Sequence, residues 1–160
     1  MTAKLLSRKS RSPADTRALA RTLAAHLVPG DVVALTGELG SGKTEFVRGL
    51  AQGLGVPAGE AVASPSFILA HVYNGRLPLV HLDLYRLDEL PLELLPDLED
   101  YLFGPHVAVV EWAERAVAIL PENYVEILMT ISGENDRDLA FVPHGARGEE
   151  LLEKAFPETV

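Results

Sequence analysis

The run Gly37-Glu38-Leu39-Gly40-Ser41-Gly42-Lys43-Thr44 carries the clearest chemistry in the sequence. It satisfies G-x-x-x-x-G-K-[ST], the spacing of a loop that wraps phosphate groups. Glycines allow the backbone to turn tightly and aim successive N–H groups at phosphate oxygens, where a Cβ would obstruct approach. Lys43 supplies a mobile point charge for the β- and γ-phosphates, and the Thr44 hydroxyl is placed to ligate Mg²⁺. This stretch is predicted to bind a nucleoside triphosphate.

Such a loop needs a carboxylate at the end of a buried strand beside it, to position Mg²⁺ directly or through water. Asp83 and Glu111 are the candidates. Asp83 ends a segment that contains a proline and a histidine. Glu111 ends the uninterrupted apolar run Val107-Ala108-Val109-Val110, which suits a central parallel strand buried on both faces. Glu111 is therefore assigned to the metal, with Asp83 nearby as a supporting or water-positioning acid. A helix cap or a partner for Arg86 is the plainer reading of Asp83. Ser64 and Ser66, in Ser64-Pro65-Ser66-Phe67, read either as a switch-like loop sensing the γ-phosphate or as an ordinary turn. His81 reads as an assistant in proton transfer or as a satisfied core histidine. Trp112, the only tryptophan, borders the nucleotide or packs on neighbouring protein. The five histidines show no metal-ligand spacing.

Elements that could hold these groups are visible in the periodicity. Asp31 to Thr36 reads as a buried strand entering the loop, and Lys43 to Leu54 as the helix leaving it, with Phe46, Val47, Leu50 and Leu54 on one face. The N-terminus of that helix adds its positive end to the anion site. Ser12-Pro13-Ala14-Asp15 looks like a capped helix start, followed by Leu19, Leu23 and Leu27 until Pro29-Gly30. Phe67 to Tyr73 and Leu77 to Leu84 flank Asn74-Gly75 and predict an antiparallel hairpin. Between Asp88 and Phe103, leucines at helical spacing are interrupted by Pro91 and Pro96, predicting one or two short acidic helices. A short helix up to Leu120, an alternating strand from Val125 to Ile131, a turn at Gly133 to Asp136, a strand from Arg137 to Phe141 and a helix from Glu149 to Phe156 complete the series.

The 160 residues, 48% of them hydrophobic, suffice for one domain with a core of its own. There are no cysteines, which excludes disulfides and thiolate metal sites. No apolar run reaches membrane-spanning length, and the basic N-terminus lacks a secretory apolar core, so a cytoplasmic protein with no membrane partner is expected. A formal net charge of −9, from 14 basic and 23 acidic side chains, argues against tight direct binding to RNA or DNA, because that affinity comes from neutralising phosphates.

The phosphate loop, the Ser64-Pro65-Ser66-Phe67 turn, His81-Leu82-Asp83-Leu84-Tyr85-Arg86 and Val110-Glu111-Trp112, in this order, resemble the bacterial TsaE (YjeE) ATPases from about Asp15 to about Leu139. The resemblance implies a three-layer α/β P-loop NTPase fold, with a mostly parallel central sheet plus antiparallel hairpin strands, as a single ATPase domain over residues 1–160. It implies an ATP-hydrolysing, Mg²⁺-dependent protein that serves formation of threonylcarbamoyladenosine next to the tRNA anticodon, with a TsaB–TsaD heterodimer as partner. By match to the family's motifs, Gly40, Ser41, Gly42, Lys43, Thr44 and Glu45 hold the phosphates of ATP or ADP, and Thr44 and Glu111 hold Mg²⁺. Lys43, Asp83 and Glu111 form the catalytic set, Trp112 lies at the nucleotide, and Arg137 and the first helix's start at Pro13 approach it. The sequence departs from the family at Ser66, where threonine is usual, and at Ala113, where proline is usual.

Two other functions compete. A small-molecule kinase of similar length would add a substrate pocket and an arginine-rich lid, whereas Arg48, Arg86, Arg115 and Arg137 are scattered along the sequence. A nucleotide-dependent binding module would hydrolyse ATP only incidentally. The lack of an N-K-x-D guanine signature favours ATP over GTP.

Overall fold

In the computed structural model the described residues are 5–58, 60, 62, 70–85, 87 and 92–157. The Ser64-Pro65-Ser66-Phe67 turn and Arg86 lie outside them.

The strand that feeds the phosphate loop is β2 (Val32–Gly37). Alternation sends Val33 and Leu35 to one face and Val32 and Ala34 to the other. Both pairs are buried, in two separate apolar clusters. A strand covered on both sides needs no polar face, which is why it reads as a continuous apolar run. The first cluster packs under α1 (Pro13–Ala24), α2 (Lys43–Gly53) and α4 (Gly145–Ala155). The second packs under α3 (Leu95–Leu102) and the 3-10 segment Ala113–Ile119. Helices, sheet and helices thus form three layers.

Among the described residues the sheet has seven strands, in the order β1-β7-β6-β2-β5-β4-β3. Its centre, β6 (Tyr124–Ile131), β2, β5 (Val107–Glu111) and β4 (Pro78–Asp83), is parallel. Antiparallel strands β7 (Arg137–His144) and β1 (Leu6–Ser10) extend one side, and β3 (Ala70–Asn74) extends the other. The phosphate loop, Asp83 and Glu111 all emerge at the carboxyl ends of neighbouring parallel strands, where open α/β sheets bind ligands.

Several elements differ from the sequence-based expectation. β1 has no apolar run to announce it, since Arg8 and Lys9 sit in the middle of a five-residue edge strand whose one buried apolar residue is Leu6. Charges on an edge discourage pairing with other chains, and the ladder to β7 supplies the order. The hairpin forms, but Asn74 pairs with Pro78, so the loop is longer than the two-residue Asn-Gly turn. Gly75 does not adopt positive φ. It is glycine because a Cβ there would lie 2.1 Å from the Leu54 carbonyl oxygen at the end of α2. Pro96 starts α3 rather than interrupting a helix, since its missing N–H is harmless in a first turn. α4 begins at Gly145, four residues before the expected Glu149, because the Asn123 side chain accepts a hydrogen bond from the Arg147 N–H at 3.1 Å.

At α1 the expected cap is present. The Asp15 N–H donates to Ser12 Oγ at 3.1 Å, and the Asp15 carboxylate accepts from the Arg11 N–H at 3.0 Å. α1 then packs closely on α2, where Gly49 and Gly53 lie against the α1 backbone.

Candidate nucleotide-binding site

The loop from β2 to α2 takes its shape from its glycines. Gly40 and Gly42 adopt φ of +84° and +100°, a region that side-chain-bearing residues rarely enter. Gly37 is needed for space instead, since a Cβ would meet the Met129 carbonyl oxygen and Ser41 Oγ at 2.6 Å each. Gly42 is the N-cap of α2 and offers no side chain to its first N–H groups. Those amides and the helix dipole are left for an anion.

Lys43 is 4% exposed. Its Nζ donates to the Gly37 and Glu38 carbonyls at 2.6 and 3.1 Å, inside the loop that its charge would serve. Burial lowers its pKa below the ordinary lysine value, partly offset by the carboxylates of Glu111, Glu114, Asp83 and Glu38. The Thr44 hydroxyl donates to Glu111, lying 3.2 Å from each carboxylate oxygen. Glu111 is 3% exposed, and its Oε2 sits 2.6 Å from His81 Nε2. Asp83 is the parallel-register partner of Glu111, so both acids share the face of the sheet that α2 covers. Asp83 Oδ1 accepts the Tyr85 N–H at 2.9 Å.

Trp112 is the one described non-glycine residue at positive φ, with φ +60°. The left-handed turn ends β5 and brings the indole over the cleft, while the ring also packs against the second apolar cluster. There the ring lies 4.1 Å from Lys43 Nζ, measured to its centroid, and 5.1 Å from the Tyr85 ring centroid. A cleft of about 430 Å³ opens between Gly40, Lys43, Thr44, Asp83, Glu111 and Trp112.

On the other side of the loop, Pro13, Gly40, Gly42, Glu45 and Arg137 line a second, smaller cleft. Arg137 donates to the Gly40 carbonyl at 3.1 Å and to carbonyls of its own turn. Glu45 is paired with Arg17 at 2.6 Å and with Arg48. The expected site residues therefore fall into two adjoining groups. Trp112 belongs with Lys43 and the acids, while Pro13 and Arg137 stand across the loop from it.

A family model described as Threonylcarbamoyl adenosine biosynthesis protein TsaE matches residues 10–139. The chain belongs to the TsaE family. It is 39% identical over 152 residues to the Bacillus subtilis (strain 168) protein named tRNA threonylcarbamoyladenosine biosynthesis protein TsaE, covering 94% of each chain. It is 41% identical over 130 residues to the Treponema pallidum protein of the same name, covering 81% of this chain and 95% of that one. Among solved structures, the crystal structure of Bacillus subtilis YdiB superposes with a TM-score of 0.82 at 35% identity, covering 100% of this chain and 99% of that one.

Sequence reasoning missed several residues that this TsaE-family site contains. Tyr85 and Arg115 flank Trp112, and Arg115 also donates to the Leu87 carbonyl at 2.9 Å. Arg48 lines the larger cleft. Arg48, Arg115 and Arg137, distant from one another in sequence, are engaged by Glu45 and by backbone carbonyls. No spacing signal could have found them, since each reaches the site from a different element. Among the described residues no helix is long and apolar enough to cross a membrane.

Proposed function

We propose that this chain binds ATP with Mg²⁺ and hydrolyses it in the pathway that forms threonylcarbamoyladenosine next to the tRNA anticodon, acting with a TsaB–TsaD complex. The pathway follows from the names of its relatives, and a tRNA substrate implies a cytoplasmic site of action. The observation that carries the chemistry is the Thr44 hydroxyl, 3.2 Å from both oxygens of a nearly buried Glu111 at the mouth of the phosphate loop. Buried carboxylates need a compensating partner. Hydroxyl and carboxylate oxygens are the hard donors that Mg²⁺ prefers, and Mg²⁺ ordinarily keeps several waters and phosphate oxygens as further ligands. Two protein donors suffice for that, which agrees with the lack of a cluster of three or more His, Cys, Asp or Glu ligands among the described residues.

Thr44 and Glu111 would hold Mg²⁺, which when bound would supply positive charge to offset that of the phosphates. The protein's own contribution is positional. The uncapped amides at the start of α2 bind the phosphates, and Gly40 and Gly42 let the backbone approach them. Lys43 exchanges the Gly37 and Glu38 carbonyls for phosphate oxygens, taking its charge to where negative charge develops. Asp83, beside Glu111, orients the attacking water. The cleft bounded by Pro13 and Arg137 receives the rest of the nucleotide.

The test is phosphate release from ATP without any acceptor, then with TsaB–TsaD added, alongside equilibrium binding of ADP and ATP with and without EDTA. Mg²⁺-dependent binding and release of free phosphate are expected. Transfer of the phosphate to a small molecule would instead establish a kinase, and failure to bind nucleotide would refute the site.

A further inference from the structure

One buried group beside the site has no task in the chemistry above. His81, in β4, is fully buried, and its Nε2 lies 2.6 Å from Glu111 Oε2. Its Nδ1 is buried without a hydrogen-bond partner among the described residues. A histidine kept only as part of a core would have both nitrogens satisfied or be replaced by an apolar residue, since buried polar atoms almost always find partners. Here one nitrogen is sacrificed so that the other can reach a carboxylate. A separation this short requires a hydrogen between the two atoms, and an ionised carboxylate can only accept it. Nε2 therefore carries a proton and donates it to Oε2.

Glu111 needs such a contact. Its carboxylate can turn about its last bond, and Thr44 Oγ1, 3.2 Å from both oxygens, does not distinguish them. His81 does distinguish them, because it touches Oε2 alone. We propose that His81 is a positioning residue: it takes up Oε2 and so presents Oε1, with the Thr44 hydroxyl, to the cation. The proposal rests on the Mg²⁺–nucleotide reading of the site. Partners that orient metal ligands are commonly worth ten- to a hundredfold in metal affinity.

The experiment compares His81→Leu, of similar bulk but without a donor, with His81→Gln, whose amide N–H can reach the same oxygen. ADP affinity is measured across a Mg²⁺ titration and in EDTA. The leucine variant should need about tenfold more Mg²⁺ for half-maximal tightening of ADP binding, while its affinity in EDTA stays within about twofold of wild type. The glutamine variant should recover most of the Mg²⁺ response. Wild-type Mg²⁺ dependence in His81→Leu, or an equal loss with and without Mg²⁺, would overturn the proposal. Should the leucine variant fail to fold, the ¹⁵N-labelled wild-type protein decides. The His81 ring should be protonated on Nε2, and its resonances should shift when Mg²⁺ is added to the ADP complex. An Nδ1-protonated ring, or one indifferent to Mg²⁺, would refute the role. Wild-type protein that binds no ADP under any condition would remove the functional reading itself, and this inference with it.

Discussion

Lys43 Nζ rests 4.1 Å from the centroid of the Trp112 indole, while donating to the Gly37 and Glu38 carbonyls. The ammonium that should meet the phosphates is thus parked between the loop and the ring face. A nucleotide must draw it away, so the indole reports on binding. Trp112 emission is expected to change saturably with ADP or ATP plus Mg²⁺, free of interference because the chain has one tryptophan. Trp112→Ala should abolish this signal and leave nucleotide affinity unchanged or slightly tighter, since the cation–π contact it removes belongs to the nucleotide-free state. Lys43→Ala should remove hydrolysis, costing about 3–4 kcal/mol of transition-state stabilisation, with the fold retained. Flat emission in a titration where calorimetry shows nucleotide bound would place Trp112 outside the binding event.

The two acids at the strand ends should separate by their metal dependence. Glu111 touches Thr44, whereas Asp83 Oδ1 is engaged by the Tyr85 N–H. Glu111→Gln is expected to weaken Mg²⁺-dependent nucleotide binding more than Asp83→Asn, which should act mainly on turnover. Mg²⁺ titrations of both variants check the order; the reverse ranking would exchange their roles.

Gly49 sits in the middle of α2, where alanine normally gains about 1 kcal/mol of helix propensity. Here an added Cβ would lie 2.4 Å from the Arg17 carbonyl oxygen and 2.6 Å from Ala20 Cβ. Overpacking against a backbone atom outweighs the propensity. Gly49→Ala is expected to destabilise by about 1–3 kcal/mol net. That corresponds to a melting temperature lower by about 2–4 °C for each kcal/mol. An unchanged or raised melting temperature would mean that α1 can move away at little cost.

Arg147 of α4 grips Asp31, at the start of β2, with Nε and Nη2 at 2.9 and 2.7 Å, and also donates to the His26 carbonyl. Asp31 is 6% exposed, and besides this fork its Oδ2 accepts the Val28 N–H at 2.8 Å. Arg147→Ala should cost about 2–4 kcal/mol by leaving a nearly buried carboxylate unpaired. Arg147→Ala with Asp31→Asn should recover part of the loss, as chemical denaturation of the double-mutant cycle will show. Full additivity of the two changes would deny the coupling.

The net charge of −9 supplies no phosphate-neutralising face. The basic β1 strand is already engaged, with Lys9 3.4 Å from Asp138 and Arg8 stacked over the Phe156 ring. The isolated protein should therefore show no tight, salt-sensitive association with tRNA, and any such association should need a partner protein. Filter binding at two salt concentrations tests this. A nanomolar complex that weakens steeply with salt would contradict it.

What could be read from the sequence is what short-range backbone geometry dictates. The left-handed glycines of the phosphate loop, the Ser12 cap, the apolar faces of β2 and α2, and an acid ending a doubly buried strand each leave a signature within a few neighbouring residues. What could not be read is what strand order decides. Glu111 meets His81, 30 positions away, only because β4 and β5 lie side by side in parallel register. Arg137 reaches Gly40 across 97 positions because the β6–β7 hairpin continues the sheet past β2. Gly75 carries a turn signal, yet its reason is the approach of Leu54 from another element. Trp112 was placed by a single left-handed residue that alternation does not encode. Sequence spacing records the conformations that neighbouring residues impose on one another. Which distant side chains then meet is set by how the layers pack, and no local pattern carries that.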